Sequence, residues 1–542
     1  MKKSFLYIVA ATAITIAGCS KNFDAINIDP TQADSSTFNP NLLLPSAELS
    51  YTGAISGYSG PILFQSMWVQ IFASASYPSY YSNGDKYVAS GNTTTYQASL
   101  WNNAYRGASL AREIQNLTNS KMADYTNLRA AAVVMEIACI QVVTDAYGDC
   151  PYSQALQAKS GLSQPMYDKQ QDIYPAILSR LDSVLNTFDA TKAPISNDAF
   201  SFHGDITKWK KFGYSLMLRL AMRLVNVAPS VAQQYAEKAA TGGTFSSVDD
   251  NAYLRYDNAN GYNNPNSAAL TTPSDYVEVR WGQKLIDMLK ESNDPRLPVI
   301  AEVPPHGAYY AAGADKPVDS STVASFAGNS TPALQLGMPN GYDQNGGATD
   351  ISKSANYPGP STNGGNIANG KYSRPKTSLY LSLSAPVFVL TYPETEFLLA
   401  EAAVRGWNVG GDAATHYANG VAGSLLSYGQ FNNTTPISTG DAAAYAAAHP
   451  LVGNSLQQIN EQYWITTGTL FNFLEAWNNW KRSGYPELTP VNYAGNFSNG
   501  QIPARQPYPL SEATTNGANY NTAVSGLQGG DSWTGHVWWD QQ

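Results

Sequence analysis

The chain has 542 residues, and 32 Lys and Arg stand against 41 Asp and Glu, a formal net charge of −9. That balance argues against a nucleic-acid or anionic-membrane binder, since both recruit polyanions through a basic surface, and 43% hydrophobic against 13% charged residues excludes a chain disordered by composition. Among the aromatics, 35 Tyr and 11 Trp outnumber 17 Phe, and rings with a polar handle suit half-wet binding surfaces.

Residues 1–18 read as an export signal. Lys2 and Lys3 form a positive start, Phe5 to Ile16 an apolar run short for a membrane span, and Ile16-Ala17-Gly18 leads into Cys19. Small residues before a cysteine resemble the bacterial lipobox, in which Cys19 becomes the acylated first residue of the mature chain. Several acyl chains, at about 0.8 kcal/mol per buried methylene, hold a protein firmly on a membrane. Residues 19–40, rich in Asn, Asp, Thr and Ser, read as a lipidated tether, and 41–542 as one domain.

Helical patterns then alternate with polar loops. Leu100, Trp101, Ala104, Tyr105, Ala108 and Leu110 keep helical spacing in Gln97–Leu117, and Leu128–Ala146 follows after a break at Asn119-Ser120. A second pair is predicted at Asp172–Phe188 and Ile206–Val227, with Trp209, Phe212, Leu216 and Leu220 on one face. Further helices are expected at Trp281–Glu291, Glu394–Arg405 and Ser455–Arg482, the last stopping at Gly484 before Pro486. Large loop-rich insertions fall at 74–96, 250–280 and 304–376. The expected fold is therefore mainly α, a tetratricopeptide-like helix-pair scaffold with a large irregular face. Cys139 in an apolar run and Cys150 after a turn make no disulfide framework, and Cys139 is expected to be a buried free thiol. The five His residues show no i, i+4 pair, and Asp343–Asp350 does not match a calcium loop, so neither a metal nor a cofactor is expected.

Several short motifs occur in a telling order: Trp101-Asn-Asn-Ala-Tyr105, Asp145-Ala-Tyr-Gly-Asp-Cys-Pro-Tyr152, Asn293-Asp-Pro-Arg-Leu297, Thr391-Tyr-Pro-Glu-Thr-Glu396, Ala400-Glu-Ala402, Glu475-Ala-Trp477, Lys481-Arg-Ser-Gly-Tyr-Pro-Glu-Leu488, Pro503-Ala-Arg-Gln-Pro-Tyr-Pro509 and Val537-Trp-Trp-Asp540. With the lipobox and the length, this set resembles the SusD/RagB family of Bacteroidota surface lipoproteins across essentially the whole mature chain. Cys150 departs from it, standing where the family's turn usually has an aliphatic residue. The resemblance implies a lipid-anchored outer-membrane protein facing outward, which captures a glycan, or in some members a peptide, for a SusC-like TonB-dependent transporter.

The motifs themselves read as scaffold. Glu394 and Glu396 complement a helix dipole, Glu401 pairs with a neighbouring element, Lys481 and Arg482 meet the negative pole of their own helix, and Arg505 anchors a loop. Ligand chemistry is expected instead from loop aromatics, where a flat ring takes a sugar's C–H face and amide or carboxylate groups take its hydroxyls. The segment containing Tyr77, Tyr80, Tyr81, Asn83, Asp85 and Tyr87 fits that recipe, as do Tyr262 with Asn263, and Tyr309 with Tyr310. A secreted glycoside hydrolase is the rival reading, but no Gly-x-Ser-x-Gly elbow, zincin motif or phosphate loop appears, and no catalytic residue is assigned.

Overall fold

The computed structural model describes residues 38–75, 80–90, 93–272, 278–304, 327–359, 371–431 and 437–540. Its frame is a series of packed helices: α1 (Leu44–Ile55), α2 (Tyr80–Lys86), α3 (Thr93–Leu117), α4 (Thr126–Tyr147), α5 (Gln170–Leu185), α6 (Ile206–Arg223), α7 (Pro229–Gly242), α8 (Tyr392–Val404), α9 (Ala413–Ser427), α10 (Ser455–Thr469) and α11 (Phe473–Ser483). Sequence neighbours pack as hairpins: α3 on α4, α5 on α6, α6 on α7, α8 on α9 and α10 on α11. This is the tetratricopeptide-like arrangement expected from the periodicity. Strands are short among the described residues, the longest pairing being Ala252–Arg255 antiparallel to Pro386–Leu390.

Local chemistry explains where the helices begin and end. The Asp205 carboxylate accepts from the backbone N–H groups of Thr207 and Lys208 at the start of α6, and the Thr391 and Asn472 side chains cap α8 and α11 in the same way. Gly484, at φ 75°, closes α11 with a hydrogen bond to the Trp480 carbonyl. Ser455–Arg482 is not one helix. It breaks at Leu470–Asn472, where Phe471 takes φ 62° and Asn472 starts a new cap, a turn that periodicity alone does not register. Helix α4 is apolar and long enough to cross a membrane, yet 94% of its most apolar stretch is buried by its neighbours. Cys139 within it and Cys150 just after it are buried free thiols.

The shared motifs converge on a buried ionic centre. Arg219 meets Glu394 at 2.6 and 2.9 Å, and Arg223 meets Glu475 at 2.7 and 2.6 Å and Asp145 at 3.3 Å. Tyr463 donates to Glu475 at 2.6 Å, and the Trp539 indole donates to Asp145 at 3.0 Å. Burial opposes charge on Glu475, but the flanking Arg223 and Arg219 win and hold it below the ordinary carboxylate range. One shell further out, Arg482 forks onto Glu401 at 2.6 and 2.7 Å, and Arg505 ties the Tyr147 carbonyl to Asp531. Lys481 and Arg482 therefore do not serve the pole of their own helix. Lys481 donates to the Asp145 carbonyl of α4 at 2.7 Å and Arg482 reaches α8, because both side chains point into the interhelical core. Asp294 and Arg296 pair with each other in the interior, the structural role expected for that turn.

Candidate functional site

Two tyrosine-rich stretches of similar composition have opposite fates. Tyr80–Lys86 is helix α2 rather than a loop, and it is pressed into the body. Gly84 permits this, since a Cβ there would stand 1.8 Å from the Leu63 carbonyl oxygen. Tyr81 and Tyr87 are fully buried and Asn83 nearly so. Asp85 accepts from the Asn340 amide at 2.6 Å and the Gly341 N–H at 2.7 Å, with the Lys86 ammonium at 3.5 Å. Burial raises the Asp85 carboxyl above its usual range, and Lys86 and the hydrogen bonds offset this in part. In this arrangement Tyr81, Asn83, Asp85 and Tyr87 face protein rather than solvent. The physical reason is the missing side chain at Gly84. Tyr77, Tyr309, Tyr310, Cys19 and the side chain of Tyr80 lie outside the described residues.

The second stretch projects outward. Asp257 accepts from the Asn260 N–H and caps a single 3-10 turn, Gly261 takes φ 83°, and the Tyr262 N–H closes on the Asp257 carbonyl at 2.9 Å. Beneath it, the Asn264 amide donates to the Ala385 and Pro386 carbonyls at 3.0 and 3.1 Å while its oxygen caps Pro265–Thr271. The turn is thus bolted to the strand pair and cannot collapse onto its own ring. Tyr262 is 55% exposed, and Asp257, Asn258, Asn260 and Asn263 around it are exposed as well. A ring on a fixed turn, circled by amides and a carboxylate, can stack on a sugar's apolar face and bond its hydroxyls.

Residues that the sequence pattern did not single out lie next to this turn. Gly57 donates to the Asn266 side chain at 2.7 Å, and a Cβ on it would meet Pro265 at 2.9 Å. Next to Gly57, the half-buried Tyr58 ring meets Tyr81 edge-on at 5.7 Å and Tyr96 at 5.4 Å. The breaker run Ser56-Gly57-Tyr58-Ser59-Gly60-Pro61 is the sequence signal that could have marked it. A separate cleft of about 1210 Å³ opens beside the end of α11, where Trp480, Trp538, Gln171, Gln501 and Thr534 combine rings with polar groups. The carboxylates of the Thr391–Glu396 and Ala400–Ala402 motifs are engaged: Glu394 with Arg219, Glu401 with Arg482, and Glu396 with His416 at 2.8 Å. No group of three or more potential metal ligands occurs among the described residues. Asp343 instead accepts from Tyr493 at 2.6 Å and Thr349 at 3.1 Å, and Asp350 accepts from the Gly346 N–H.

The family model described as starch-binding, associating with the outer membrane, matches residues 63–509. The chain belongs to this SusD-like family. A solved chitin-binding protein shares 30% identity over 93% of this chain and 100% of its own, with a TM-score of 0.76. A SusD-like protein from Bacteroidetes AC2a is 24% identical over 93% of this chain and 100% of its own, also at 0.76. A chitin-binding SusD homologue from Flavobacterium johnsoniae is 21% identical over 93% of this chain and 99% of its own, at 0.69, a likeness of fold. No curated protein matches the sequence. The matched range contains Asp145, Arg219, Arg223, Glu394, Tyr463 and Glu475 of the buried ionic centre.

Proposed function

We propose that this SusD-like chain is a non-catalytic surface protein that captures a glycan and delivers it to a SusC-like TonB-dependent transporter. In this reading Cys19 carries the lipid, residues 19–40 form the tether, and the body faces outward from the outer membrane. The observation that carries the capture step is the exposed Tyr262 ring on its anchored turn, with Asn260, Asn263 and Asp257 at its rim. The name of the 30% identical relative makes β-linked N-acetylglucosamine chains the first ligand class to test. Such sugars offer a flat apolar face to a ring and acetamido groups to asparagine amides.

The test is titration calorimetry of the lipid-free protein, residues 20–542, with chitin oligosaccharides, starch oligosaccharides and mixed peptides. Saturable binding of a glycan without turnover is expected. Release of shorter sugars would overturn the non-catalytic reading, and binding of peptides alone would move the function to peptide capture. Copurification of a large β-barrel protein from detergent-solubilised outer membranes is expected, and its repeated absence would remove the delivery step. Parallel variants Tyr262→Ala and Trp538→Ala locate the glycan, because the first weakens binding if the turn is the site and the second if the cleft beside α11 is.

A further inference from the structure

Helices α3, α4 and α5 bring Arg112, Arg129 and Arg180 to the rim of one hollow of about 510 Å³, whose lining is completed by Gln115, Asn116 and Asn119. The only carboxylate bonded to these arginines among the described residues is Glu136, buried beneath them. Arg112 reaches it through Nε and Nη2 at 3.0 and 2.6 Å, and Arg180 through Nη1 and Nη2 at 2.6 and 3.0 Å. Gln115 locks the arrangement, donating to Glu136 at 2.8 Å and accepting from Arg180 at 3.0 Å. Both guanidinium groups remain partly open, at 29% and 27% side-chain exposure.

Arg129 is the informative member. Its Nη1 donates to the Gln115 carbonyl and the Thr118 hydroxyl at 2.6 and 2.7 Å, uncharged acceptors at the end of α3, and no carboxylate pairs with it among the described residues. Partial burial lowers its pKa. The neighbouring acids Glu113 and Asp182 are taken by Lys159 and Lys238, at 2.7 and 2.6 Å. Three guanidinium charges thus face one carboxylate, a local excess of positive charge in a chain whose net charge is −9. The buried Arg219 and Arg223, by contrast, meet three carboxylates, Glu394, Glu475 and Asp145. Planar guanidinium forks suit the oxygens of phosphate and sulfate.

We propose that this hollow is a binding site for a tetrahedral oxyanion, phosphate or sulfate, either free or carried on a lipid headgroup. Arg129 and the open edges of Arg112 and Arg180 hold the oxygens, and Asn116 and Asn119 supply neutral donors at the rim. The site is separate from the Tyr58 cluster: Tyr96, which meets the Tyr58 ring, and Arg112 are sixteen residues apart on α3, about 24 Å along its axis.

The test is calorimetric titration of the detergent-solubilised full-length protein with inorganic phosphate and with sulfate, at low and high sodium chloride. Saturable binding that weakens as salt rises is expected. Arg129→Gln, which leaves the Glu136 clamp intact, should lower affinity about tenfold or more while shifting the melting temperature of the anion-free protein less than Arg112→Gln does. Arg112→Gln should also lose affinity but melt earlier. Cosedimentation with phosphatidylcholine vesicles containing phosphatidic acid distinguishes the sources: Arg129-dependent pelleting assigns a headgroup, and phosphate binding without it assigns a free ion. No saturable binding up to about 10 mM, or equal affinity in Arg129→Gln, would overturn the proposal and leave the cluster as a helix-joining device.

Discussion

Tyr81–Tyr87 and Asp257–Asn263 are alike as strings of letters, each mixing tyrosine, asparagine, aspartate and glycine, yet one is interior and the other is display. The difference lies in how each glycine is used. Gly84 has no side chain to hold its helix off the Leu63 carbonyl, so α2 sinks inward and carries Asp85 and Lys86 with it. Gly261 instead supplies the positive φ that turns the chain outward, and nothing approaches within 4 Å of where its Cβ would be. Composition marks a segment as able to bind, and the close approach of backbone to backbone decides whether it is available.

Four experiments break or sharpen that contrast. The largest effect is expected from Asp85→Ala, which removes the carboxylate beside a buried ammonium and strips the Gly341 N–H of its acceptor. A loss of about 3 to 5 kcal/mol is expected in urea denaturation, the scale of breaking a buried ion pair. Gly84→Ala comes next, because its methyl group overlaps the Leu63 carbonyl and must displace α2. About 1 to 3 kcal/mol of destabilisation is expected, and a melting temperature equal to that of the parent would show that α2 is not packed as described.

Tyr262→Ala reverses the pattern of readouts. Stability should stay within about 0.5 kcal/mol, as for other exposed positions, while glycan affinity falls by about 1 kcal/mol, the scale of one lost ring contact. If instead the protein is destabilised and binding is unchanged, the turn is a structural element. The smallest effect is expected in pH dependence. Burial raises Asp85 above its unfolded value of 3.8, so the folded state holds that proton more tightly. Its stabilising contribution is full below that value and is lost as pH rises through the folded value. Subtracting the stability of Asp85→Asn from that of the parent at each pH should give a difference that declines over this acidic window, and a rising difference would refute the assignment.

The helical frame was legible because its signals are local. Leu100, Trp101, Ala104 and Ala108 repeat at the helical interval, and Asp205, Thr391 and Gly484 punctuate the ends. The scaffold role of the shared motifs was legible too, through charged residues placed in otherwise apolar helices, although the partners were not. Lys481 and Arg482 suit the carboxyl end of their own helix by charge, yet they meet Asp145 and Glu401, residues 336 and 81 positions away. The break at Phe471 was illegible because nothing in the apolar pattern of α10 and α11 falters there.

The sequence by itself determined the class of the protein, its helix hairpins and the scaffold role of the charged motif residues, because periodicity, caps and motif order are written within a few residues of one another. Tertiary structure alone decided which tyrosine meets solvent, which acid neutralises which arginine, and that Arg129 pairs with no carboxylate among the described residues. Those outcomes depend on packing distances between segments far apart in the chain, such as Gly84 on Leu63 or Arg219 on Glu394, and a one-dimensional pattern carries no such distance.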